Sequence, residues 1–121
     1  MNNTNNLFKG RWKIIWMELW DQEYINLCGT GHITIDDKGN GEFQFGTVEG
    51  SFQIALGQTY FNSEWDGCAE MDEASGDIYG TLEGEELQGD ISFYRGDESE
   101  FRAVREEKKM STVKSGRLVS A

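Results

Sequence analysis

Apolar and polar side chains alternate with a period of two along much of this chain. The clearest stretch is 47–56, where Val48, Phe52 and Ile54 fall on one side and polar residues on the other. The stretch 87–94 repeats this pattern. Alternation of this kind is typical of β-strands that bury one face. No window of helical length shows a period of 3.6 residues, so the chain is expected to be built from strands.

An apolar run predicts a strand at 9–18, alternation predicts strands at 32–35 and 42–45, and weaker strands are expected at 58–65, 77–82 and 99–106. In the first of them, Trp12, Ile14 and Trp16 are expected to share one face. The sequence Asp36-Asp37-Lys38-Gly39-Asn40-Gly41 predicts a hairpin turn. One helical turn is expected within 22–27. About eight short strands joined by turns indicate an antiparallel all-β meander, either a barrel or a sandwich.

Glycines favour the barrel over the sandwich. Three segments share the pattern apolar-x-Gly-x-apolar, at Val48-Gly50-Phe52, Ile78-Gly80-Leu82 and Leu87-Gly89-Ile91. Alternation places each of these glycines on the inward face. An inward glycine in a strand marks sharp coiling or close packing, which a tight barrel requires. We therefore predict an up-and-down barrel of about eight strands.

The chain of 121 residues fits one domain. We assign the barrel to residues 7–109, a disordered polar tail to 1–6 and a second tail to 110–121. The sequence has no run of 18 apolar residues, so no transmembrane helix is expected. No secretion signal is expected at the start.

Charge disfavours several classes of partner. The chain has 22 acidic and 11 basic residues, a formal net charge of −11, and Gly39–Tyr94 contains 12 acidic residues and no Lys or Arg. Such a surface repels nucleic acid and anionic membranes but attracts a basic protein. Cys28 and Cys68 are isolated in the sequence, which predicts reduced thiols and a cytoplasmic location.

The motif Gly10-Arg11-Trp12 opens the first long strand. Gly-x-Trp at this place resembles the motif of the calycin barrels, the lipocalin and avidin-like proteins. The resemblance implies that Trp12 plugs one end of the barrel. It also implies that a basic residue of the last strand, Arg102 or Arg105, packs over the Trp12 ring by a cation–π contact.

A second resemblance runs through the middle and end of the chain. It is carried by Ser63-Glu64-Trp65-Asp66-Gly67, Glu70-Met71-Asp72-Glu73-Ala74-Ser75-Gly76, Leu87-x-Gly89-x-Ile91, Gly96-Asp97-Glu98-Ser99 and Phe101-x-Ala103-x-Arg105. These segments are similar to a group of small uncharacterised bacterial proteins. The resemblance implies a bacterial cytosolic protein and no particular activity.

Five carboxylates lie within ten residues, at Glu64, Asp66, Glu70, Asp72 and Glu73. Oxygen ligands of this kind suit Ca²⁺ or Mg²⁺, but their spacing does not match an EF-hand loop, so we expect an exposed acidic loop between two strands. His32, the single histidine, is expected on the exposed face of its strand. We predict no metal site and no cofactor.

Aromatic residues beside carboxylates give the candidate ligand site. Trp20 lies near Glu18 and Asp21, and Trp65 lies between Glu64 and Asp66. Each tryptophan is expected where a strand ends, and such a pair of groups can hold a cationic or planar molecule. The expected lining of the site is Trp20, Tyr24, Trp65 and Glu64.

Two functions from different classes remain open. The first is non-enzymatic binding of a small, partly apolar molecule at the barrel mouth. The second is an acidic module, of the immunity-protein, inhibitor or nucleic-acid-mimic type, that docks on a basic partner. An enzyme ranks third, because no nucleophile, phosphate loop or metal-ligand spacing is evident. A monomer or a homodimer is expected.

Overall fold

The structure is a computed structural model that describes residues 6–106. The strands are β1 (Gly10–Met17), β2 (His32–Ile35), β3 (Asn40–Phe45), β4 (Val48–Gln53), β5 (Tyr60–Ala69), β6 (Asp72–Glu83), β7 (Glu86–Phe93) and β8 (Glu98–Arg105). A single helical turn, α1 (Gln22–Ile25), joins β1 to β2. The tails expected at 1–6 and 110–121 lie outside the described residues, except for Asn6. The Asn6 side chain donates to the Asp36 carbonyl oxygen at 2.8 Å.

Every strand pairs antiparallel with the next one along the chain, and β8 pairs with β1 to close the barrel. The predicted all-β, up-and-down barrel of eight strands is therefore confirmed. The alternation places the apolar side of each strand inside, as the burial of Phe43, Phe45, Leu87 and Ile91 shows. Because the sheet has no free edge, all eight strands share one core.

Inward glycines let the sheet coil tightly around this core. Gly80 pairs with Gly89 across β6 and β7, and Gly50 pairs with Gly67 across β4 and β5. A Cβ atom on Gly50 would lie only 2.6 Å from the Trp65 ring. The aromatic rings thus occupy the space that side chains at these positions would need.

The predicted acidic loop between Glu64 and Glu73 is wrong. β5 continues to Ala69 and β6 begins at Asp72, so only Glu70 and Met71 form the connection. Both have positive φ angles, 51° and 76°. This is the backbone of a two-residue hairpin turn whose twist matches that of the flanking strands. Glu64 therefore lies on a regular strand.

The expectation that Trp16 shares the inward face of Trp12 and Ile14 is also wrong. The pairing of β1 with β8 shifts between Ile14 and Trp16, which marks a β-bulge. One extra residue reverses the alternation, so Ile15 and Trp16 are both exposed and Met17 is buried. The bulge aims Trp16 at the outside of the barrel.

Candidate functional site

One end of the barrel is closed by Trp12 and Arg105. The Trp12 side chain is fully buried, and its Nε1 donates to the Phe8 carbonyl oxygen at 2.9 Å. The Arg105 guanidinium carbon lies 4.3 Å from the centre of the Trp12 ring, and the same group donates to the carbonyl oxygens of Leu7 and Lys9. It thus combines a cation–π contact with hydrogen bonds that hold the incoming chain.

Gly10 makes this arrangement possible. Its φ angle is 131°, and a Cβ atom there would lie 2.8 Å from the Arg105 guanidinium. Arg102, the other arginine considered for this role, does not reach Trp12. It lies on the outside of β8, with its guanidinium 5.2 Å from the centre of the Trp16 ring. The strand register explains why Arg105 and not Arg102 covers the Trp12 ring, because Arg105 is the residue of β8 that pairs with Trp12.

Trp20 and Tyr24 lie together at the opposite end of the barrel. Their ring centres are 6.2 Å apart, and the Trp20 ring also contacts Phe45 at 5.0 Å and Phe93 at 6.1 Å. The Asp21 side chain caps α1 by accepting from the Tyr24 amide at 2.9 Å. This cap holds the aromatic pair over the end of the core.

Trp65 and Glu64 project to opposite faces of β5. The Trp65 ring is buried inside the barrel, 5.3 Å from Phe93, and its Nε1 donates to the Ser92 carbonyl oxygen at 3.1 Å. Glu64 is exposed on the outside. The structure therefore connects Trp20, Tyr24 and Trp65 through Phe93, but it does not place Glu64 in the same lining.

Side chains fill the barrel interior. A void in the core, lined by apolar side chains that include Ile14, Phe43 and Phe101, has a volume of about 10 Å³. That volume is close to the minimum for one water molecule. A small organic molecule would enter only if side chains at the barrel end moved aside.

The outer surface of β3–β6 is acidic, and the pairing of these strands determines which carboxylates are neighbours. Glu42 pairs with Ser51, Ser51 with Asp66, and Asp66 with Ser75. In the next row outward-facing Glu64 pairs with Asp77. We call the exposed carboxylates of Glu42, Glu64, Asp66 and Asp77 the acidic face.

Two open grooves run through the acidic face and share Glu64 and Asp66. The first, of about 690 Å³, extends over β6 and β7 to Asp77. The second, of about 580 Å³, extends over β3 and β4 to Glu42. Small serine side chains between the acids form these grooves. β3–β7 contain no Lys or Arg, so no cation on these strands offsets the charges.

Asp36 stands at the end of the second groove. It accepts hydrogen bonds from the backbone amides of Asn40 at 2.9 Å and Lys38 at 2.8 Å. These bonds stabilise the ionised carboxylate and lower the pKa of Asp36 from its ordinary value of 3.8. The carboxylate thereby fixes the β2–β3 turn.

Within residues 6–106 no group of three or more His, Cys, Asp or Glu residues is placed to hold a metal ion. Cys28 and Cys68 are both free thiols. His32 is half-buried, and its Nδ1 lies 2.9 Å from the Thr30 carbonyl oxygen. The one ion pair of the described part of the chain joins Arg11 to Glu106.

Sequence reasoning missed a further cleft on the outside of β1, β6, β7 and β8. Its volume is about 220 Å³, and Trp16, Tyr79, Asp90, Glu100 and Arg102 are among the residues that line it. The bulge that exposes Trp16 has no evident signal in the sequence. The register of four strands is needed to bring these side chains together.

No family model matches the chain, and neither does any curated protein or solved structure. In the described part of the chain no helix is long or apolar enough to cross a membrane.

Proposed function

We propose that this protein is a non-enzymatic interaction module whose acidic face docks on a basic protein partner. The observation that carries the proposal is the direct pairing of Glu64 with Asp77 across β5 and β6. Like charges at paired positions of a sheet destabilise it. A lysine or arginine of a partner placed between these carboxylates would relieve the repulsion.

The surroundings of this pair support the same proposal. Asp66 adds a third carboxylate, and both grooves meet at Glu64 and Asp66. The serines that form the grooves leave room for long basic side chains and offer hydroxyl groups as acceptors. Complementary charge of this kind speeds association and gives specificity.

The experiment compares two triple variants in pull-downs from the host extract. Glu64→Gln, Asp66→Asn and Asp77→Asn together remove the acidic face. Glu18→Gln, Glu23→Gln and Asp37→Asn remove as much charge elsewhere. A docking partner is retained by wild type and by the second variant, is lost from the first, and dissociates as salt is raised. Equal retention of the same proteins by both variants would contradict the proposal.

Small-molecule binding at the barrel mouth is the second candidate function. The observation that favours it is Trp20, which is half-buried and stands over the aromatic end of the core beside Tyr24 and Phe93. A planar or apolar ligand would displace the Trp20 ring and stack on its neighbours. Since the interior void is so small, binding requires this displacement.

Native mass spectrometry of protein purified gently from its own host tests this second function. A ligand appears as extra mass of a few hundred daltons that Trp20→Ala reduces and Trp16→Ala does not. A bare monomer or dimer mass would count against it.

A calycin-type barrel and a cytoplasmic location complete the proposal. Gly10-x-Trp12 on the first strand, with Arg105 of the last strand over the Trp12 ring, supports the calycin type. The two free thiols support a reducing compartment. An experimental structure compared with solved calycins, and fractionation of the host cell, test these two statements.

A further inference from the structure

The cleft on the outside of β1, β6, β7 and β8 carries an inference separate from the acidic face. The outer face of a barrel in water is normally polar, yet Trp16 is 39% exposed and Tyr79 is 38% exposed. Tyr60 is also exposed, and its ring centre lies 6.4 Å from that of Tyr79. Three aromatic rings therefore stand on one band of the outer surface.

A structural device places Trp16 in this band. Without the bulge in β1, the alternation would turn Trp16 inward, as it does Trp12 and Ile14. Bulges of this kind often re-aim a side chain beside a functional site. Gly89 also lines the cleft, through its backbone.

Charged groups complete the lining. Asp90 pairs with Glu100 across β7 and β8, and Arg102 follows Glu100 on the same outward face. Within residues 6–106 none of these three takes part in an ion pair. The cleft thus offers carboxylate acceptors, guanidinium donors and aromatic surface together.

The mixture of groups selects the ligand chemistry. An anion would meet the carboxylates of Asp90 and Glu100, and a cation would meet Arg102, whose guanidinium already covers part of the Trp16 ring. A hydrocarbon would strip water from all three charged groups without replacing its hydrogen bonds. A neutral molecule with several hydroxyl groups and one apolar face satisfies donors, acceptors and aromatic rings at once.

We infer that this cleft binds a neutral sugar ring that lies between Trp16 and Tyr79, packs on these aromatic side chains through its C–H groups, and is held by hydroxyl hydrogen bonds to Asp90, Glu100 and Arg102. The volume of about 220 Å³ supports a single ring. It is smaller than the roughly 300–1,000 Å³ of pockets that take drug-sized ligands. A longer saccharide would extend across β6 and β5 towards Tyr60.

Saturation-transfer difference NMR tests the inference on the full chain. The probes are glucose, galactose, mannose and N-acetylglucosamine, with cellobiose, lactose and chitobiose as longer ligands, all at millimolar concentration. We expect at least one probe to receive saturation on its C–H protons. Trp16→Ala and Tyr79→Ala are each expected to weaken its binding at least about tenfold, as the loss of an aromatic anchor does.

Tyr94→Ala is the matched control, since Tyr94 is 72% exposed and lies outside this cleft. It is expected to leave sugar binding unchanged, and Asp90→Asn is expected to weaken it while the fold stays intact. The binding is also expected to be insensitive to salt, in contrast to docking on the acidic face.

Two outcomes overturn the inference. No saturation transfer to any of the sugars is the first, and an equal loss of binding in Tyr94→Ala is the second. If the sugars fail while penta-lysine binds and Trp16→Ala abolishes that binding, the cleft is assigned to a protein interface instead. Failure of the sugars with a salt-sensitive partner still retained by the acidic face would leave the proposed function standing.

Discussion

Single glycines decide how tightly this sheet coils. A Cβ atom on Gly76 would overlap the Ser92 carbonyl oxygen on the neighbouring strand. Because that neighbour is backbone, a side-chain rotation cannot relieve the overlap. We predict that Gly76→Ala lowers the free energy of unfolding by about 1–3 kcal/mol, the usual effect of overpacking. Urea denaturation measures this change.

Ser75→Ala is the matched control for this substitution. Ser75 precedes Gly76 on β6 but is exposed on the outside of the barrel. Its loss should change the free energy of unfolding by less than about 0.5 kcal/mol. If Gly76→Ala and Ser75→Ala gave equal stabilities, the steric role of the glycine would be refuted.

Asp36 makes the stability of the protein depend on pH. Its pKa is lowered by hydrogen bonds from the backbone amides of Asn40 and Lys38. A carboxyl group with a lowered folded pKa adds stability above its unfolded value, and that stability is lost as pH falls through the folded pKa. We therefore expect the stability advantage of wild type over Asp36→Asn to shrink as pH falls below 3.8.

Carbon-13 NMR of the Asp36 carboxyl group, followed through a pH titration, measures the pKa directly. Asn40→Ala removes the side-chain hydrogen bond of 3.2 Å but keeps the backbone donors, so it should raise the midpoint only slightly. A wild-type midpoint at or above 3.8 would show that the turn does not stabilise the ionised form.

The pairing of β5 with β6 concentrates like charge. Glu64 lies opposite Asp77, so neutralising one of them should stabilise the sheet. We predict that Glu64→Gln raises the free energy of unfolding by about 0.2–1 kcal/mol at low salt. Glu42→Gln is the control, because Glu42 lies opposite Ser51. A loss of stability in Glu64→Gln, measured by thermal or urea unfolding, would mean that this carboxylate is not repelled by Asp77.

A strand with a steady period of two could be assigned both a position and an inward face from the sequence, whereas the interrupted strand β1 could be assigned only a position. β4 and β7 follow the alternation from end to end, so their inward faces could be assigned residue by residue. β1 could not be assigned throughout, because the bulge after Ile14 depends on how β8 pairs with it. The acidic stretch from Glu64 to Glu73 was expected to be a loop because runs of charged residues are usually exposed. The turn is only two residues long, Glu70 and Met71, and the sequence did not indicate it.

The candidate sites divide in the same way. The closure of one end by Trp12 came from a resemblance in a local motif, and the structure selects Arg105 over Arg102 by register. Glu64 was placed in the lining because it precedes Trp65 in the sequence, but adjacent residues of a strand face opposite sides. The side chains of the cleft at Trp16 come from four strands, so no local sequence pattern could predict it.

Across the barrel, charge and packing have opposite effects on stability. A filled core with a void of about 10 Å³ stabilises the barrel. Residues 6–106 carry 21 acidic and seven basic side chains, a formal charge of −14, and one ion pair joins them. Repulsion among the unpaired carboxylates therefore opposes the compact state.

This balance predicts how salt affects stability. Raising NaCl from about 0.01 M to about 0.15 M shortens the Debye length from about 30 Å to about 8 Å, which screens charges on different strands. We expect the melting temperature of the full chain, with its net charge of −11, to rise over this range. The variant that carries Glu64→Gln, Asp66→Asn and Asp77→Asn should respond less, because three of the repelling charges are gone.

A melting temperature that falls as NaCl is added would mean that attractive pairs outweigh repulsion. The stored repulsion on the acidic face would then be too small to favour a basic partner.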